Sequence, residues 1–214
     1  MRLISVNVAK PETVTWQGQA VRTGIFKRPV SGSVKVAKLN LEGDGQADLR
    51  VHGGVDKAVY AFPVEHYGAW TAQLGRDLPF GQFGENLTVE GMPEDEVRVG
   101  NLYRIGTALF EVSQPRTPCF KLGIRMGDDA FPQRFLLSGH SGFYLRVLEE
   151  GALQAGDAVR LEAAARDSLS VLEVNRLLYF ERVDPAVLRQ AAELPALSVS
   201  WRRQLRQRLA LAGD

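Results

Sequence analysis

The sequence predicts a mainly β fold, a barrel-like or strongly coiled sheet, with a small C-terminal appendage of three α-helices. Two observations lead there. Up to about residue 163, short apolar runs recur between Gly, Asn, Asp and Pro punctuation, most of them with a period of two. After about Ala165 the apolar spacing changes to three and four, and Ser and Asp stand where helices begin. The chain is therefore divided at residues 1–165 and 166–214.

The elements follow in order. Val34 to Leu39 alternates and reads as a strand; Ala58 to Phe62 is apolar throughout and reads as a strand buried on both faces. A helix should start at Pro63, which suits a first helical position, and run through Tyr67, Trp70 and Leu74 to a stop at Gly75. Its aromatic residues are expected to be core contacts. Val97 to Val99, the run containing Leu109, Phe110 and Val112, and Val159 to Leu161 are further strands. In the appendage, Ser170 caps a helix carrying Leu172, Val174, Leu177 and Leu178. Asp184-Pro185 opens a second, and Ser198 or Ser200 opens a third, with Trp201, Leu205 and Leu209 spaced by four. The arginines 202, 203, 206 and 208 form a solvated face or dock an acidic partner.

Lys and Arg number 26 against 25 Asp and Glu, so no global charge points to nucleic acid or to an anionic membrane. The run Leu3 to Val8 is too short and polar for a signal peptide, and no stretch has the length of a membrane span. With a single cysteine, a cytoplasmic location is expected. Several chemistries are excluded. The Gly43-Asp44-Gly45 stretch lacks the third glycine of a dinucleotide loop, no Walker lysine follows a glycine loop, and Phe143 stands where a nucleophile elbow needs glycine. The three histidines, His52, His66 and His140, are scattered along the chain, and one cysteine cannot complete a structural zinc site.

What remains centres on Gln114-Pro115-Arg116-Thr117-Pro118-Cys119. A lone cysteine is a packed thiol, a nucleophile or a ligand for a soft metal, and here two prolines pin the approach while Arg116 favours a thiolate. Three glycine-rich loops accompany it: Asp44 to Asp48 running on to His52-Gly53-Gly54, Gly81 to Asn86, and Lys27-Arg28-Pro29-Val30 with Gly32. They are tight turns or an oxyanion cradle, in which Lys27, Arg28, Arg116 and Arg125 would hold a phosphorylated small molecule.

The ordered set Asp44-Gly45-x-x-Asp48, His52-Gly53-Gly54, Gly84-Glu85-Asn86-Leu87 and Gln114-Pro115-Arg116-x-Pro118-Cys119 resembles the MOSC family, named for the C-terminal domain of molybdenum cofactor sulfurase, and within it the YiiM-type bacterial proteins. Gly142-Phe143-Tyr144, Ala155-Gly156-Asp157 and the terminal helices extend the likeness over nearly the whole chain. The resemblance implies a barrel-like domain binding the molybdenum cofactor, with Cys119 as metal ligand and His52, Gly53, Asn86 and Arg116 at motif positions near the pterin. Lys27, Arg28 and Arg125 are added on charge grounds. Relatives of this kind reduce hydroxylamines, amidoximes and N-hydroxylated nucleobases with electrons from a separate reductase, and His52 or a water would supply protons. The alternatives are sulfur transfer through a Cys119 persulfide, loaded by a pyridoxal-phosphate desulfurase partner, and non-enzymatic carriage of the cofactor. One departure is Gly100-Asn101, where many relatives have Gly-Asp.

Overall fold

A computed structural model describes residues 1–48, 53–179 and 183–212. In chain order the elements are β1 (Arg2–Val8), β2 (Glu12–Trp16), β3 (Gln19–Thr23), β4 (Arg28–Val30), β5 (Val34–Val36), β6 (Val59–Pro63), α1 (Glu65–Leu74), β7 (Leu87–Glu90), β8 (Leu102–Ile105), β9 (Ala108–Pro115), α2 (Phe120–Met126), α3 (Phe131–Leu137), β10 (Phe143–Glu149), β11 (Gly151–Leu153), β12 (Val159–Ala163), α4 (Val171–Tyr179), α5 (Pro185–Glu193) and α6 (Val199–Ala212).

Eight strands form one mixed sheet in the order β12-β8-β9-β10-β6-β7-β1-β4, antiparallel except for the β6–β7 pair, which α1 connects. The expected barrel is incomplete: the ladder is open, with β12 and β4 at its edges. Its two ends nevertheless meet at a seam. β4 covers Val6 to Val8 of β1, while Leu3 N–H donates to the Asp157 carbonyl (2.9 Å), Gly156 N–H to the Leu3 carbonyl (2.7 Å) and Val159 N–H to the Met1 carbonyl (3.1 Å). The inner face buries Leu3, Val6, Ala61, Leu87, Phe110, Val112, Phe143 and Leu145.

A second, aromatic core lies between β6 and helices α1 to α3, where Phe62, Phe83 and Phe135 stack near Trp70 and Phe131. Tyr67 and Trp70 are core residues, as their spacing predicts. Helix α1 starts at Glu65 rather than Pro63, because Pro63 still pairs with Val89 as the last residue of β6. Gly75 ends it in the left-handed conformation, its N–H bonded to the Thr71 carbonyl. Helices α2 and α3 are not legible from the periodicity, since each has seven residues. Val97 to Val99 is not a strand either. Its valines are buried alternately as expected, but its pairing partner is a single bridge from Arg98 to Ser170.

The terminal helices start where the sequence says. Ser170 Oγ accepts from Glu173 N–H (3.1 Å) while Glu173 Oε2 accepts from Ser170 N–H (2.7 Å), a reciprocal capping box. Asp184 Oδ1 accepts from Ala186 N–H (2.8 Å), and Ser198 rather than Ser200 caps α6 by accepting from Trp201 N–H (3.3 Å). Their core of Leu177, Leu188, Ala191, Trp201 and Leu205 takes in Val99 from the sheet region. Among the described residues, no helix is long and apolar enough to cross a membrane.

Candidate functional site

Beside β6, on the side facing α2, the chain leaves an open cleft of about 590 Å³ counted out to its mouth. Its wall includes Lys27, Asp44, Asn86, Arg116, Cys119 and Tyr144.

Asp44 organises one side. Only 3 % exposed, its carboxylate pairs with the Lys27 ammonium and accepts from Asn86 Nδ2 (2.9 Å) and from Ala9 N–H (3.0 Å). A buried carboxylate is stable only when so compensated. Burial lowers the proton affinity of Lys27, with Asp44 opposing that effect. Asn86 completes the tie. Both amide hydrogens are used, the second on the Asn7 carbonyl (3.3 Å), and its Oδ1 accepts from Tyr60 N–H (3.1 Å). Asn86 thus fixes the spacing of β6, β7 and the Asp44 loop.

The loop delivering Asn86 is folded around Glu85, which accepts from Gly81 N–H (2.8 Å), Phe83 N–H (3.1 Å), Thr88 Oγ1 (3.0 Å) and the Tyr67 hydroxyl. Gly81 has φ 83°, and a Cβ there would meet the Lys27 carbonyl at 2.8 Å, so only glycine lets this loop lie against the Lys27 backbone.

Arg116 forms the other side. It is 5 % exposed, its guanidinium lies 4.9 Å from the Tyr60 ring centre and 5.6 Å from that of Phe135, and its Nη1 is buried with no hydrogen-bond partner among the described residues. Cation–π contact holds the charge in place without neutralising it. Burial raises the pKa of Tyr60 and of Tyr144, against the opposing pull of Arg116, so both phenols keep their protons at neutral pH. Tyr60 donates its proton to the Ser141 carbonyl (2.7 Å). Cys119 is half-buried and sits in extended conformation as the residue before α2. Its sulfur lies within electrostatic reach of Arg116, Lys57 and Tyr144.

Of the residues singled out from the sequence, Lys27, Asn86, Arg116 and Cys119 line this cleft together. Arg28 is exposed on β4, Gly53 is half-buried, and Arg125 stacks on Phe26 at 5.2 Å; these three are off the cleft lining. His52 lies outside the described residues. Sequence reasoning did not single out Asp44, Lys57, Tyr60, Lys121 and Tyr144 as site residues, though all five line the cleft. The Asp-Gly spacing was the available signal for Asp44; nothing local marks the tyrosines. The donor set fits an anionic group bearing a soft metal, because a cysteine sulfur, a buried guanidinium with one unsatisfied nitrogen and three lysines converge on one cavity.

Comparison with known proteins identifies the family. Residues 48–160 match the MOSC domain, and residues 169–212 match the YiiM-like, 3-alpha helix domain. The uncharacterized protein YflK of Bacillus subtilis is 42% identical over 94% of this chain and 90% of its own length. A Gibberella moniliformis protein named "Reductase" is 32% identical over 83% of this chain, which spans 32% of that protein. The crystal structure of YiiM from Geobacillus stearothermophilus superposes with a TM-score of 0.83 at 39% identity, covering 97% of this chain and 98% of that one. The chain belongs to the MOSC domain family, with a YiiM-like three-helix domain following the MOSC domain.

Proposed function

We propose that the protein is a cytoplasmic oxidoreductase that holds the molybdenum cofactor in the Cys119 cleft and reduces N-hydroxylated compounds with electrons from a separate reductase. The observation that carries this reading is the convergence of the chain's only thiol with a buried, partly unsatisfied guanidinium in one open cavity. The fungal relative named "Reductase" supports the redox class.

When bound, the cofactor would supply a metal able to take up an oxygen atom and exchange two electrons. Cys119 Sγ is the soft donor to that metal, and Arg116 Nη1, with Lys27, Lys57 and Lys121, binds the anionic part of the pterin. Asp44 and Asn86 hold Lys27 and the loop backbone in position. Converting R–NHOH to R–NH2 and water consumes two electrons and two protons. Tyr144 Oη, kept protonated by burial, is a hydrogen-bond donor on the cleft wall, and the protons come from His52 or a water.

Molybdenum and pterin analysis of freshly purified protein, combined with hydroxylamine reduction by an artificial reductant, tests the proposal. The wild-type chain should retain both and turn over. Protein that carries a Cys119 persulfide but neither molybdenum nor pterin would instead support sulfur transfer.

A further inference from the structure

Two of the histidines that are scattered in the sequence meet in space. His66, on the first turn of α1, and His140, in the loop before β10, stack with ring centres 4.2 Å apart. Both rings face Glu94, whose side chain is 1 % exposed. His66 Nε2 lies 2.6 Å from Glu94 Oε2, and His140 Nδ1 lies 3.7 Å from the same oxygen. One ligand atom from each of the three residues falls within 4.8 Å of the others.

We propose that His66, Glu94 and His140 form a binding site for a divalent transition-metal ion of the zinc class, separate from the Cys119 cleft. Two imidazoles and a carboxylate are the donor set that suits such ions and that leaves a fourth position open. In a tetrahedral site with bonds of about 2.0–2.1 Å, donors stand roughly 3.3 Å apart. The observed spread brackets that value. Seating an ion opens the His66–Glu94 contact and draws in the His140 ring, which is 49% exposed and has room to turn. The exposed ring also supplies the way in. Glu94 is anchored for the task, since its other oxygen accepts from Gly142 N–H (2.8 Å). Asp95 and Arg176 are further charges within electrostatic reach of His140, and they oppose each other.

The site backs onto the cleft. The Gly142 carbonyl accepts from Arg116 N–H (3.0 Å), and the Ser141 carbonyl accepts from the Tyr60 hydroxyl (2.7 Å). An ion held by Glu94 and His140 therefore clamps the segment 140–142 that positions both Arg116 and Tyr60.

The test uses the untagged full chain carrying Cys119→Ser, stripped of metal, so that the thiol cannot contribute and the outcome is independent of the reductase reading. Titration with Zn2+ alone should show one equivalent bound and a rise in Tm. Co2+ should give visible ligand-field bands without a sulfur charge-transfer band. His140→Ala, at an exposed position, should weaken binding by about tenfold or more, and His66→Gln likewise. Unchanged Zn2+ affinity in both histidine variants overturns the proposal, as does the absence of stoichiometric binding in the Cys119→Ser chain.

Discussion

The three terminal helices and the Cys119 cleft lie side by side, joined by a 2.8 Å hydrogen bond between Tyr179 of α4 and Thr117, yet they are assembled differently. Each helix start is fixed by a residue two or three positions away: Ser170 with Glu173, Asp184 with Ala186, Ser198 with Trp201. The cleft is closed by partners distant in sequence: Asp44 with Lys27 and Asn86, Tyr60 with Ser141. Local rules build the helices, and only the whole sheet builds the cleft. A change in the first region should therefore act on stability alone, whereas a change in the second should act on ligand and chemistry with the fold retained.

The largest expected effect is that of Cys119→Ser. The change is nearly isosteric, so far-UV circular dichroism should hold while bound molybdenum and hydroxylamine reduction fall to background. A variant with native turnover would break both the comparison and the proposed function.

Next comes Arg116→Ala, set against a double Arg203→Ala, Arg206→Ala variant. Losing a desolvated charge-assisted contact costs about 1.5–3 kcal/mol, roughly ten- to 150-fold in cofactor retention. Arg203 and Arg206 are exposed, and the pair of Arg206 with Glu193 is screened, so the double variant should retain cofactor as wild type does. Equal retention in the two proteins would place the anion elsewhere.

A smaller effect concerns pH. The charged form of Lys27 is the one that attracts an anion, and burial brings its deprotonation below the ordinary lysine range. Rising pH should therefore weaken anion binding at a lower pH than it would for an exposed lysine, that is, below the ordinary lysine value of about 10.4. Lys27→Arg should move that fall upward; phosphate affinity measured against pH, with the same profile in both proteins, would remove Lys27 from the anion site.

The smallest is Ser170→Ala, which removes one half of a capping box. It should cost about 1 kcal/mol, a drop in Tm of about 2–4 °C, with cofactor content unchanged.

Legibility followed the same division. The caps and the αL stop at Gly75 were readable because the residue and its effect are neighbours. Arg116 and Cys119 were readable because a proline-pinned motif keeps them three residues apart. Helices α2 and α3 were hidden by their length and by Gly123 and Pro132. The Gly123 site tolerates no side chain, since a Cβ would meet the Asp128 carbonyl at 2.9 Å, and Pro132 opens α3 where a loop reads equally well. Val97 to Val99 reads as a strand because its residues alternate apolar and polar, and what sequence could not supply was the length of the partner. His66 and His140 meet only because β6 and β10 pair directly, a register that no local pattern announces.

The seam has a kinetic consequence. β1 is synthesised before the segments it pairs with: β7 and the turn before β12 follow only after much or most of the chain. Until then Leu3 and Val6 sit on a strand with open edges, covered at one end by β4 alone. Such a strand is a template for pairing with other chains, and contacts this distant in sequence form slowly. Nascent fragments ending before residue 156 should therefore need chaperone protection that the finished protein does not, and truncated translation products of this chain should aggregate through their first strand.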